Sequence, residues 1–281
     1  MKQFAYVALL SGLLLAGRAY STETHIGRPE LQGDIVNLRT ASDVHFGIWG
    51  TKVRYPAPTL LVFSSTIEES LGVPYYRQCG NALAQQGYLC VSLDLPGHGL
   101  KQRADEPEGL AAWRFRSDQG EDFIGPFNRR VHDVLDYLIE GSYTDPQRIA
   151  ACGTSRGGYL ALQVTAAEPR IRATAAFAPV TNLSKIREFH SATYRDRMKD
   201  LSLYAKAENL TGRALWLVIG DRDDRVGTDD TIAFARRVTV LSLAQSKPAD
   251  VTLIVQPEPQ GHTTPAGSPA LAAQWITEKM K

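Results

Sequence analysis

Nearly unbroken apolar runs alternate with amphipathic stretches along most of this chain. Thr59–Ser64 (TLLVFS), Ala214–Gly220 (ALWLVIG) and Val251–Gln256 (VTLIVQ) have the composition of strands covered on both faces, as in a parallel sheet. Tyr88–Leu93, Ile149–Cys152 and Ala173–Ala178 read the same way, and Asp34–Arg39 with Val44–Trp49 forms an antiparallel opening pair. Helical spacing falls between them. It covers Tyr75–Gln86, stopped by Gly87, and Asp122–Ile139, with Val131, Val134, Leu135 and Leu138 on one face. It recurs over Tyr159–Ala167, Thr231–Leu243 and Ser268–Lys279, each ending where a helix stop or strand begins. Asp145-Pro146 reads as a turn, Leu100–Asp118 as a polar loop without period, and Leu183–Leu210 as a polar, helix-prone insertion. Strands alternating with helices predict an α/β architecture: a mostly parallel eight-stranded sheet with helices on both faces. No repeat or linker divides it, so one domain is expected over 30–281, with a short cap-like insertion at about 183–211.

Composition changes little. With 281 residues, 43% hydrophobic and 22% charged, the chain is long enough for a closed core without metal or disulfide support. A formal charge of +1 and the absence of any Lys/Arg-rich cluster give no field for nucleic acid or anionic lipid. The N-terminus differs in kind. Lys2, an apolar stretch Phe4–Ala16 and the small residues of Gly17-Arg18-Ala19 have the layout of a secretory signal peptide, too short to span a bilayer. Residues 1–19 are expected to be removed on export to a periplasm or the medium, which takes the formal charge from +1 to −1 by loss of Lys2 and Arg18. No membrane association is expected after that. Cys79, Cys90 and Cys152 cannot all pair within one chain. All three read as structural, although one disulfide stays open. Neither CxxC nor HExxH occurs, and no metal or organic cofactor is implied.

The chemistry begins at Gly153-Thr154-Ser155-Arg156-Gly157-Gly158, between a predicted strand and a predicted helix. A Gly-x-Ser-x-Gly elbow holds its serine in a strained turn, and small residues two places either side keep neighbouring backbone clear. The helix begins behind the hydroxyl, with free N–H groups and its positive end toward any oxyanion formed there. A serine hydroxyl also needs an imidazole to take its proton and a carboxylate to orient that imidazole. Both follow in order at later strand ends: the acidic run Asp221-Arg222-Asp223-Asp224 after Ala214–Gly220, and Gly261-His262 after Val251–Gln256. From spacing alone Asp221, Asp223 and Asp224 stay open as the acid.

The run Asp133–Leu162, with Asp145-Pro146-Gln147-Arg148-Ile149 leading into the elbow, resembles the α/β-hydrolase superfamily. More narrowly, it resembles the prolyl-oligopeptidase and dienelactone-hydrolase-like esterases within it. Gly220-Asp221-Arg222-Asp223-Asp224-Arg225-Val226 is similar to their Gly-x-x-Asp-x-x-Val acid motif, which implies Asp223 as the acid, and Gly261-His262 matches their histidine. The resemblance extends over nearly all of the chain beyond the leader. Asp94-Leu95-Pro96-Gly97-His98-Gly99 resembles the turn after their fourth strand, which makes His98 a turn residue. Many relatives carry His-Gly after the third strand; here Ser64-Ser65-Thr66 stands there. The backbone N–H groups of Thr66 and Arg156 are the expected oxyanion donors. Arg156 has two readings. Its side chain either stands near the oxyanion, as in the Gly-Cys-Ser-Arg elbow of glucuronoyl esterases, or turns into a salt bridge; the second is preferred.

The expectation is a serine hydrolase acting on a small-molecule carboxylic ester through Ser155, His262 and Asp223. The Leu183–Leu210 insertion and Leu100–Asp118 shape its acyl pocket. Two alternatives share these residues: a prolyl-oligopeptidase-like peptidase, whose large N-terminal domain this chain has no room for, and a non-catalytic binding protein of the same fold. A haloalkane dehalogenase needs an aspartate nucleophile at the elbow, and Ser155 argues against it. Acyl preference and oligomeric state are not legible.

Overall fold

The computed structural model describes residues 28–281 apart from 191, 192 and 194, and leaves aside the side chains of 195–197. The leader expected over residues 1–19, and Tyr194 in the insertion, lie outside the described residues. The strands are β1 (Val36–Arg39), β2 (His45–Trp49), β3 (Ala57–Phe63), β4 (Leu89–Ser92), β5 (Thr144–Thr154), β6 (Ile171–Phe177), β7 (Ala214–Gly220) and β8 (Val251–Gln256). The helices are α1 (Ile67–Gly72), α2 (Pro74–Arg77), α3 (Gly80–Ala84), α4 (Leu110–Asp118), α5 (Ile124–Glu140), α6 (Arg156–Ala167), α7 (Arg195–Leu201), α8 (Leu203–Lys206), α9 (Thr228–Ala244) and α10 (Ser268–Lys279). No helix among the described residues is long and apolar enough to cross a membrane.

One eight-stranded sheet has the order β1-β2-β4-β3-β5-β6-β7-β8. Only β2 runs against its neighbours; the remaining pairs, from β4 to β8, are parallel. This is the α/β-hydrolase fold. After β3 the chain steps outward to β4, then returns to the other side of β3 to form β5. The loops leaving β3 and β5 therefore diverge, and the crevice between two such diverging loops is where open α/β sheets hold their ligands. Phe63 and Gly153 are register partners at the ends of those strands.

Alternate residues of the central strands face opposite layers, as a period of two requires. Leu61 and Phe63, with Leu215, Leu217 and Ile219, enter the core under α5, α6 and α9. Leu60 and Val62, with Trp216 and Val218, enter the core under α1, α3 and α10. Helix α5 buries Phe127, Val131, Val134, Leu135 and Leu138 completely, positions that share one side of a 3.6-residue period. Each such side chain contributes about 1.5–3 kcal/mol. All three cysteines are free and lie in the second core, each fully buried.

Three readings of the sequence are corrected. The helix expected over Tyr75–Gln86 is two short helices, because Gln78 adopts φ 50°, ψ −124°, a region no helix residue occupies. The loop expected over Leu100–Asp118 contains α4. Its burial of Arg116 and Ser117 beside Leu110, Ala112 and Trp113 breaks the hydrophobic period. The turn at Asp145-Pro146 is real but lies within β5, as an irregularity between the partners of Ala57 and Thr59; Asp145 Oδ1 accepts from the Gln147 N–H at 2.9 Å. The 183–211 insertion forms three short 3₁₀ turns with α7 and α8. Tyr159 donates to the Leu201 carbonyl at 2.6 Å and Arg225 to Glu188 Oε1 at 2.7 Å, which tie it to α6 and to the loop after β7.

Candidate active site

Ser155 stands between β5 and α6 with φ 54°, ψ −115°. A non-glycine residue there carries strain of about 1–3 kcal/mol, tolerated only where its surroundings fix it. Here the Ser155 N–H donates to Phe177 O at 2.9 Å, and the Ser155 carbonyl accepts from Val180 N at 3.1 Å and Tyr159 N at 3.0 Å. The turn is closed from both sides. A Cβ on Gly157 would lie 1.9 Å from the Phe63 carbonyl oxygen, and one on Gly153 would lie 2.3 Å from Gly157 backbone. Only glycine lets the elbow approach β3 this closely.

Three side chains from separate strand ends meet here. His262 Nε2 lies 2.9 Å from Ser155 Oγ, and His262 Nδ1 lies 2.8 Å from Asp223 Oδ2. A carboxylate oxygen accepts, so Nδ1 carries the imidazole proton and Nε2 offers its lone pair to the hydroxyl. Asp223 is 1% exposed, and its Oδ1 accepts from the Arg225 and Val226 N–H groups, each at 3.1 Å. The other two acids of the run stand elsewhere. Asp221 Oδ1 accepts from the Glu258 N–H at 2.8 Å, joining the loops after β7 and β8, and Asp224 is exposed.

Arg156 opens α6, so its N–H has no partner one turn back. In the loop after β3, the Ser64 N–H is taken by Ser70 Oγ at 3.1 Å and the Ile67 N–H by Asp94 Oδ1 at 3.0 Å. The Ser65 and Thr66 N–H groups between them have no partner among the described residues, so this loop leaves two backbone donors uncommitted. The side chain of Arg156 departs from the reading preferred for it. It forms no salt bridge among the described residues; its Nε donates to the Ser64 carbonyl at 3.0 Å.

Gln78 was not legible. Its backbone repeats the strained geometry of Ser155, it is 2% exposed, and its Nε2 donates to Thr154 Oγ1 at 2.9 Å and Thr264 Oγ1 at 2.8 Å. One amide thus links the residue before Ser155 to the loop carrying His262, while Tyr75 OH receives the Thr264 N–H at 3.2 Å on the same loop. A misplacement of about 1 Å can cost 10²-fold in rate. Gln78→Ala is therefore expected to slow fluorophosphonate labelling of Ser155 by about 10- to 100-fold with unchanged far-ultraviolet circular dichroism; an unaltered labelling rate would remove Gln78 from the positioning role.

His98 is held by Pro96 O, 2.9 Å from its Nδ1. Burial first, and the nearby Arg156 charge second, push its pKa down from 6.5 to about 4, against opposing contributions from the Pro96 hydrogen bond and Asp94. Between those values the unfolded chain binds a proton that the folded chain rejects, so stability is lost as pH falls from about 6.5 toward 4. His98→Asn keeps a donor toward Pro96 and removes the titration. Its Tm is expected to change less than that of the wild type between pH 7 and 4.5, and parallel curves would contradict this.

The broadest cavity among those described, about 1360 Å³, lies elsewhere, between α4, α5, α6 and the insertion, and includes none of Ser155, Asp223 and His262.

The family model described as the prolyl oligopeptidase family matches residues 129–278. A hydrolase of a Fusarium species, LUC6, is 34% identical over 111 residues, which is 40% of this chain and 23% of that protein. Among solved structures, a puromycin-hydrolysing peptidase from Mycobacterium tuberculosis superposes with a TM-score of 0.66 at 14% identity, over 88% of this chain and 39% of that one. An esterase from Pyrococcus furiosus gives 0.61 at 18% identity, over 88% of this chain and 91% of that one. The chain thus spans about a quarter of the curated relative's length.

Proposed function

The chain belongs to the prolyl oligopeptidase family, and on that premise we propose that it is a serine hydrolase cleaving a carboxylic ester of a small molecule through an acyl-enzyme on Ser155. The observation that carries this reading is the unbroken hydrogen-bond chain Asp223–His262–Ser155, at 2.8 and 2.9 Å, on a strained elbow at the switch point of the sheet. His262 takes the Ser155 proton as Oγ attacks the acyl carbonyl, and Asp223 holds the ring in the tautomer that can do so. The N–H groups of Arg156 and Thr66 receive the oxyanion. The histidine passes its proton to the departing alkoxide, and a water activated by the same nitrogen releases the acid.

Fluorophosphonate labelling tests the nucleophile, and p-nitrophenyl esters set against peptide anilides test the bond cleaved. Labelling at Ser155 with faster ester turnover supports the reading; no labelling removes it in favour of a binding protein. Turnover of the anilides alone selects the second reading, a peptidase, which the family match favours.

A further inference from the structure

From Ile149 to Thr165 every residue is buried except Ser155 and Arg156. Ser155 and Arg156 are thus the two half-buried residues of an otherwise buried segment. The Arg156 Nε is tethered to Ser64 O at 3.0 Å, but Nη1 and Nη2 have neither a hydrogen-bond acceptor nor a carboxylate within 4 Å among the described residues. Burial acts most strongly against its charge, Arg225 adds to that, and Glu69, Tyr76 and Glu188 favour the charge through space without an ion pair. Withdrawing a cation from water without an anionic partner is unfavourable, and the single tether to Ser64 O leaves most of its donors uncommitted.

The fork points toward Gly109. A Cβ added to Gly109 would sit 3.9 Å from Arg156 Nη1 and 3.6 Å from His98 Nε2. Gly109 is the N-cap of the nine-residue helix α4 and offers no side-chain cap, so the first N–H groups of α4 and its positive end face the same corner. His98 is 9% exposed. Its Nδ1 proton is engaged by Pro96 O, which leaves Nε2 as a buried acceptor with no partner. The corner therefore combines a guanidinium fork and helix N–H donors with one neutral acceptor. Donors of that kind bind a carboxylate, and the lone acceptor suits a hydroxyl or N–H beside it.

We propose that Arg156, the N-terminus of α4 and His98 form an acyl-recognition subsite for a carboxylate carried by the substrate, so that the preferred substrates are half-esters of dicarboxylic acids. This rests on the serine-hydrolase reading above. The scissile carbonyl sits at Ser155 while the second carboxylate lies against Nη1 and Nη2, and hydrolysis releases a free diacid.

The test compares mono-p-nitrophenyl glutarate with p-nitrophenyl valerate, which share leaving group and chain length and differ in the terminal carboxylate. A charge-assisted pair contributes about ten- to a hundredfold. The wild type is expected to prefer the glutarate by at least about tenfold in kcat/KM, mainly through KM, with the preference falling as salt is raised. Arg156→Gln should bring the ratio of the two esters to near one, and Arg156→Lys should leave it intermediate. Equal or better use of valerate by the wild type overturns the subsite, as does an unchanged ratio in Arg156→Gln. Should the glutamine variant fold poorly, the wild-type ratio and its salt dependence still decide. A fluorophosphonate-labelled wild type without glutarate preference refutes the subsite alone; no labelling and no turnover of either ester refutes the underlying hydrolase reading.

Discussion

Replacing Ser155 with alanine is expected to reduce kcat for p-nitrophenyl esters by about 10⁶-fold, since removing the nucleophile of such a set costs about as much as removing all of it. The effect is confined to chemistry. Ser155 Oγ contacts His262 Nε2, while the backbone of the elbow is held by Phe177, Tyr159 and Val180, none of which the substitution touches. Alanine leaves φ at 54°, so the strain stays and Tm should move by no more than a few degrees. Glycine at the same position removes activity equally and also relieves the strain, a gain of about 1–3 kcal/mol in stability. Rates measured on purified variants alongside thermal melts check both halves. Retention of more than a percent of wild-type turnover in the alanine variant would mean that another group is the nucleophile.

Asp223→Asn is the second large effect, a fall in kcat of about 10⁴-fold. The amide preserves volume and can still accept the Arg225 and Val226 N–H groups through its oxygen. Its NH₂ must then face His262 Nδ1, 2.8 Å away. A donor there forces the imidazole proton onto Nε2, where it confronts the Ser155 hydroxyl instead of accepting from it. Geometry survives and the base is lost. Single-turnover labelling would show it directly, and a variant within tenfold of wild type would place the orienting acid elsewhere.

Much of this was legible because it is written in runs. β7, β8 and α10 fall where the pattern places them, each an apolar or amphipathic segment bounded by Gly, Asp or Pro. Ser155, Asp223 and His262 could be proposed because each follows a strand. Helix α1 was missed although Thr66-Ile67-Glu68-Glu69 carries a capping-box pattern; Thr66 Oγ1 indeed accepts from the Glu69 N–H at 3.1 Å. Helix α4 was hidden by polar residues turned inward, above all Arg116 with its Glu106 partner, 2.7 Å from Nε. The break at Gln78 left no mark in the sequence, because it depends on Thr154 and Thr264, distant in the chain. Arg156 was expected to find an acid and found a carbonyl, a matter of which atoms lie beyond the elbow rather than of any local pattern.

The buried cysteines give the molecule an internal clock. Cys79 follows Gln78 and Cys152 precedes Gly153 in the chain, and both belong to the core packed under α1, α3 and α10. All three thiols are shut from solvent, and burial pushes those of Cys90 and Cys152 upward, reinforced by the neighbouring Cys79. A protonated, enclosed thiol does not react with an alkylating reagent; reaction waits for the layer to part. The native-state alkylation rate of Cys79 and Cys152 therefore meters how often the core layer under α1, α3 and α10 parts.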